Sequence, residues 1–321
     1  MRLRQFPICA TFAALVFTIS LTGDLKSARA QRTAKASSSS AAATDTVIFA
    51  VTRSGTSDAQ FEPVAIYRRG AFAGSVTGES SPEELKRFAG SYYRAGQRYR
   101  LIWGGAESGT LVAKESQQET DCAKAAATAD VQTSVHIGGN RMALATNAPA
   151  LGLAKASRRA PTEAERAQVK THVERIFREK GIPAGALAKL QTINLTATDL
   201  NKDGAAELIG TYLIRRDGKG IFLDKLFVLA EPTAAGGVKI GFARHEQLKG
   251  TDFTDPESLD SVGENAFQAE ILLDQLDVDG DGTGEVFTIS YSFEGTNYTI
   301  YKKGTKGWSA VQEFHNYRCA Y

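Results

Sequence analysis

The stretch Asp277-Val278-Asp279-Gly280-Asp281-Gly282-Thr283-Gly284-Glu285 sets four acidic side chains at its first, third, fifth and ninth places. It places glycine sixth and runs directly into the β-rich Val286-Phe287-Thr288-Ile289. Asp199-Leu200-Asn201-Lys202-Asp203-Gly204-Ala205-Ala206-Glu207 repeats the frame 78 residues earlier and leads into Leu208-Ile209. Few backbones satisfy such a pattern. Oxygens at the first, third and fifth places converge only if the chain coils tightly, and the sixth residue must then turn at a φ that glycine reaches cheaply. Asp-Gly also marks ordinary hairpin turns with solvated acids. Two loops in one frame, each between β runs, point instead to a cation.

Each loop offers side-chain oxygens at places 1, 3, 5 and 9, and a backbone carbonyl at place 7 can add another. A hard, all-oxygen set without sulfur or imidazole suits Ca²⁺ better than zinc or copper. Lys202 sits among the acids of the first loop, which predicts weaker binding there. Helix–loop–helix calcium sites are excluded, because they need a bidentate Glu at place 12 and these loops have Gly210 and Thr288 there.

A nine-residue acidic loop opening into a strand resembles the calcium loops of FG-GAP/VCBS-type repeats, the blade units of integrin-α-like propellers. The resemblance implies metal ligation by Asp199, Asn201, Asp203, the carbonyl of Ala205 and Glu207. In the second loop it implies Asp277, Asp279, Asp281, the carbonyl of Thr283 and Glu285. The chain departs from the pattern in having Glu at place 9 where the family has Asp, and it lacks clear FG-GAP tripeptides. The likeness covers only the C-terminal half.

The chain begins with basic Met1-Arg2-Leu3-Arg4, a short apolar run from Ala10 to Leu21, and small residues at Ala28 and Ala30. This is the pattern of a secretory signal peptide over 1–30, cleaved after Ala30. The expected address is secreted or periplasmic, with no membrane span in the mature chain. Residues 31–44, rich in serine and alanine, read as a disordered linker. Residues 45–150 read as a small N-terminal α+β domain with mostly antiparallel strands. In it Ser81 caps a helix opened by Pro82, and Tyr92, Tyr93, Tyr99 and Trp103 read as packing. Residues 151–161 read as a linker whose cations, including Arg158 and Arg159, are solvated; a formal net charge of +2 gives no reason to expect nucleic acid.

Residues 162–321 open with a capping box, Thr162 to Glu165, on a helix carrying Val169, Val173, Ile176 and Phe177 on one face. Two blade-like, four-stranded antiparallel repeats follow, each running strand, acidic loop, strand, turn, strand, turn, strand. Propellers close with four to eight blades. Two units must therefore pack on each other or have their edges covered by the first domain. The expected class is mainly β with some α.

After cleavage Cys122 and Cys319 remain of 3 cysteines, a pair that suggests one disulfide in an exported chain. There is no Gly-x-Ser-x-Gly elbow, His-Glu-x-x-His or phosphate loop. The expectation is a non-enzymatic, calcium-binding binding or structural module of the cell envelope or surface, meeting an unknown envelope or extracellular protein or glycan. The alternative is a secreted or periplasmic hydrolase with its site between the N-terminal domain and the repeats.

Overall fold

Val47-Ile48-Phe49-Ala50-Val51 is apolar at every place, and in a strand its alternate residues must find two separate cores. They do. Val47, Phe49 and Val51 enter one buried cluster, and Ile48 and Ala50 enter another. The same division runs through the whole computed structural model, which describes residues 45–54, 58–139, 141–148, 151–218, 220–250, 269–291 and 295–318. The expected signal peptide, the 31–44 linker, the loop from Thr251 to Glu264 and Cys319 lie outside the described residues. The described residues pack as one unit.

β1 (Thr46–Thr52), β2 (Ala59–Arg68), β4 (Arg98–Trp103), β5 (Ala106–Ser116), β6 (Ala127–Thr133) and β7 (Ala143–Thr146) form a closed six-strand antiparallel barrel. Its order is β1-β7-β4-β5-β6-β2, with β2 pairing back onto β1, and β3 (Ala71–Ala73) extends β2 outside the ring. The interior holds Phe49, Phe61, Tyr93 and Tyr99, with ring centroids of neighbouring pairs 5.0–6.0 Å apart. α1 (Pro82–Tyr92) starts at a full Ser81–Glu84 capping box and lays Phe88 and Ala89 against that interior.

α2 (Glu163–Glu179) starts at the Thr162–Glu165 capping box, and the short α3 (Ala184–Leu187) follows it. β8 (Gln191–Thr198), β9 (Glu207–Gly218), β10 (Gly220–Pro232) and β11 (Val238–Gly250) make one antiparallel meander. β12 (Ile271–Leu276), β13 (Glu285–Tyr291), β14 (Gly295–Gly304) and β15 (Gly307–Tyr317) make a second. The acidic loops join β8 to β9 and β12 to β13.

The mainly β, α+β class holds, but the reading of the repeats as propeller-like blades is corrected. The two sheets are layers in a stack, not units of a ring. In β10, Leu226, Val228 and Ala230 meet Val169, Val173 and Phe177 of α2, whereas Phe227 and Leu229 meet Leu272, Val286, Tyr301 and Trp308 of the second sheet. The other face of the second sheet, with Leu273, Phe287 and Ile289, packs on Ile48, Val64, Ile102 and Leu144 outside the barrel. Helix, sheet, sheet and barrel therefore follow one another. α2 and the barrel cover the faces that further blades would need.

Buried carboxylates pin the layers. Asp274 of β12 accepts the N–H groups of Gly104 (2.8 Å) and Gly105 (3.1 Å) at a barrel turn. Both glycines have positive φ, and a Cβ on Gly105 would fall 1.8 Å from Gln275 Nε2. Glu62 of β2, 1% exposed, accepts from Thr296, Tyr298, Asn316 and Arg318 of the second sheet and its C-terminal continuation. Glu270 accepts from Arg244 and Tyr301 (2.8 Å). A charge left unpaired at such depth would be costly, and each of these is met by several donors.

The solvated-cation reading of 151–161 is likewise corrected at Arg158. Its guanidinium is half-buried, donates to the carbonyls of Leu273 (2.9 Å) and Leu272 (3.2 Å), and lies 5.9 Å from the Trp103 ring centroid. It joins barrel to sheet. Among the described residues no helix is long and apolar enough to cross a membrane.

Candidate metal centre

The two acidic loops fold alike, hydrogen bond for hydrogen bond. At place 1, Asp199 Oδ2 accepts from the Gly204 N–H (3.0 Å) and Asp277 Oδ2 from Gly282 (3.2 Å). At place 3, Asn201 Oδ1 accepts from Asp203 N–H (3.1 Å) and Asp279 Oδ1 from Asp281 (3.2 Å). At place 5, Asp203 Oδ1 accepts from Ala205 (2.8 Å) and Asp281 Oδ1 from Thr283 (2.9 Å). At place 9, Glu207 Oε2 accepts from Leu200 (2.9 Å) and Glu285 Oε2 from Val278 (2.8 Å).

Both loops turn left-handed at places 4 and 6: φ is +63° at Lys202 and +75° at Gly280, then +86° at Gly204 and +93° at Gly282. Leu200 and Val278 at place 2 are buried in the cores on either side of the second sheet, which fixes how each loop leaves its strand.

The loops also touch. Gly284 N–H donates to the Leu200 carbonyl (2.6 Å), and Gln275 Nε2 to the Asp199 carbonyl (3.3 Å). The ten expected positions thus form two neighbouring nine-residue coils. Three carboxylates of the second, Asp277, Asp279 and Asp281, bring one oxygen each within 4.8 Å of the others.

Place 1 is the most telling. Asp277 is 8% exposed, yet its Oδ1 has no hydrogen-bond partner among the described residues, and Asp199 Oδ1 is buried in the same condition. A buried carboxylate oxygen left without a donor calls for an explanation, and a hard cation supplies one. The clustered donors of the second loop are all oxygen, a set that could hold a hard cation; among the described residues Asp199, Asp203 and Glu207 of the first loop do not form such a group.

Lysine is where the loops part. Lys302 of β14 points its ammonium into the second loop and bonds Asp279, Asp281 (2.7 Å) and Glu285 (3.0 Å). Lys202, expected among the acids of its own loop, instead reaches Asp277 Oδ2 of the second at 2.9 Å. That placement is a correction: the cation lies in the first loop's sequence but serves the second.

The electrostatics follow. Burial raises Glu207 to about 7, against the Leu200 N–H and helped by Asp203 and Asp199. Burial also raises Glu285, but there Val278 N–H and Lys302 oppose it, and Lys302 holds Asp281 below the usual carboxylate range. Burial works against the Lys302 ammonium, and its three carboxylates outweigh it, leaving the amine above its ordinary value. The field reaches the barrel, where burial first and then Asp279 and Glu285 raise the Tyr67 hydroxyl.

Away from the loops a cleft of about 470 Å³ opens between β10 and β11 of the first sheet and β13, β14 and β15 of the second. Arg244 crosses it, bonded to Glu270 (2.6 Å) and Glu313 (2.8 Å), and His315 Nδ1 meets Asn297 Oδ1 (2.8 Å). The cleft lies between the sheets, whereas the hydrolase alternative expected one beside the N-terminal domain. Neither Lys302 nor Arg244 was singled out in the sequence, since each acts on partners from other strands.

Compared with family models, with curated proteins and with solved structures, the chain matches none.

Proposed function

We propose that this is an exported, calcium-stabilised β protein acting without catalysis as a binding or structural module of the cell envelope or surface. The paired loops serve it as FG-GAP/VCBS-type calcium loops. The observation that carries the reading is the buried Asp277 Oδ1, which has no hydrogen-bond partner among the described residues and belongs to one of three clustered carboxylates. Asp277, Asp279, Asp281 and Glu285, with the Thr283 carbonyl, would hold one ion. Asp199, Asn201, Asp203 and Glu207, with the Ala205 carbonyl, would hold another. Calcium supplies charge neutralisation, and the coils then fix where β9 and β13 start.

The partner is an envelope or extracellular protein or glycan. A bridge between Cys122 and Cys319 belongs to the same proposal, and intact mass before and after reduction reads it directly. The hydrolase reading draws on the carboxylates Glu246, Glu270 and Glu313 of the cleft. It ranks second, because Arg244 ties all three together.

Melting curves in millimolar calcium and in EDTA test the main reading. A ligand that binds only the folded state raises its stability by about 2.7 kcal/mol at a hundredfold excess over Kd. Calcium should therefore raise the midpoint, and Asp199→Ala together with Asp277→Ala should abolish the rise. An unchanged midpoint with no heat on calcium titration would remove the support.

A further inference from the structure

Extending the β13–β14 register one step beyond Val286↔Tyr301 sets Lys302 across from Glu285. In the first sheet the same step beyond Leu208↔Ala230 sets Glu231 across from Glu207. The matched strand position thus carries a cation in one repeat and an anion in the other. Lys302 sends its ammonium to three of the second loop's acids. Glu231 turns away from the first loop, to Trp308 Nε1 (2.9 Å), Lys239 (2.9 Å) and Lys303 (2.6 Å).

An ammonium bonded to places 3, 5 and 9 at once holds the oxygens that a divalent ion at this coil would use. Of the loop's acids it leaves over place 1, whose buried Oδ1 has no partner among the described residues. Lys202 adds a second ammonium at Asp277 Oδ2. Two tethered positive charges against four carboxylates leave two negative charges, enough to attract one divalent cation but opposed by the lysines already in place.

Resting on the calcium reading above, we propose that Lys302 sets the cation affinity of the second loop by competing for its oxygens. Binding at the second loop then requires Lys302 to withdraw from Asp279, Asp281 and Glu285. With its side chain 28% exposed, it has solvent to withdraw into. In this arrangement Lys302 is a positioning residue for the coil and the determinant of its affinity, and Lys202 has the lesser share.

Calcium titration calorimetry on the purified protein tests this in an Asp203→Ala background that silences the first loop. Lys302→Met should tighten the remaining site at least tenfold, and Lys302→Arg, which keeps the charge, should not. Without calcium the Lys302→Met variant should melt below its parent, and with millimolar calcium it should recover. Equal affinity in Lys302→Met and its parent, with both folded, overturns the competition while leaving calcium binding intact. No heat at millimolar calcium in wild type or in any variant overturns the calcium reading itself, and the proposal falls with it. Should Lys302→Met fail to fold, the charge-keeping Lys302→Arg and the milder Lys302→Gln carry the comparison, with tightening expected in the glutamine variant alone.

Discussion

The first and second acidic loops share a backbone, a hydrogen-bond frame and a left-handed turn at the same two places, yet they are balanced differently. The second is flanked by cations: Lys302 enters from β14 and Lys202 crosses from the first loop, and the loop's charges reach Tyr67 of the barrel. Among the described residues the first keeps three acids and an amide with only neutral donors on them. A repeated loop therefore keeps its coil through local backbone rules, while its charge balance is set by the strands beside it. Only the second of these can be retuned without refolding the loop.

Truncating place 9 should separate the two most strongly. Glu285 and Glu207 are 1% and 3% exposed, and each accepts an N–H from place 2. Leaving that buried donor unpaired costs about 1–3 kcal/mol. Glu285→Ala also strips Lys302 of a partner, so in EDTA it should lose about 2–4 kcal/mol and Glu207→Ala about 1–2 kcal/mol, as buried charge pairs lose more on truncation than neutral contacts. Urea titration reads both, and equal losses would mean that the Lys302 contact contributes nothing.

A second contrast lies three residues upstream. Asp274 of β12 corresponds, at the 78-residue spacing, to Thr196 of β8. Only the second sheet docks on the barrel, and only there does a carboxylate sit at this place. Burial pushes Asp274 up to about 6, opposed by Arg158 and by the N–H groups of Gln275, Gly104 and Gly105. The folded state thus binds this proton more tightly than the unfolded chain, whose aspartates titrate near 3.9. Between about pH 4 and pH 6 the folded form carries more protons, so Asp274's contribution to stability is fullest below pH 4 and is lost as pH rises through 6. The loss is of order 3 kcal/mol. Urea midpoints from pH 4 to 7, in EDTA, should fall more steeply for wild type than for Asp274→Asn. Parallel curves would show that the site is wetter, or its charge better met, than the geometry says. Thr196→Val should leave the pH dependence untouched.

How much was legible beforehand follows the reach of each interaction. The loops were, because nine consecutive residues carry their whole frame. So were the strands, since Leu226 to Ala230 and Val47 to Val51 announce double burial by having no polar place at all. The capping boxes at Ser81 and Thr162 needed only four residues each. Closure of the barrel was not legible, because it depends on β1 finding β7 nearly a hundred residues away. Asp274, Glu62 and Arg158 were equally silent, for their partners lie 115 to 256 residues distant in Leu273, Arg318 and the Gly104 turn. Lys202 misled for the same reason. Sequence neighbours suggested its own loop, whereas the stacking of the sheets brought Asp277 within its reach.

Lys202 also offers the finest test of the comparison. It holds φ +63° where the second loop has glycine, a conformation that costs a side-chain-bearing residue about 1 kcal/mol relative to glycine. Its pair with Asp277 involves an ammonium 43% exposed, and pairs of that kind are worth about 1 kcal/mol at most. The two effects nearly cancel, so Lys202→Gly should melt close to wild type, with Lys202→Ala about 1 kcal/mol less stable. In calcium titrations Lys202→Gly should tighten the second loop by several-fold, less than Lys302→Met, and leave the first unchanged. Tightening at the first loop instead would return Lys202 to the acids of its own sequence, and with it the balance of charge on which the difference between the two loops depends.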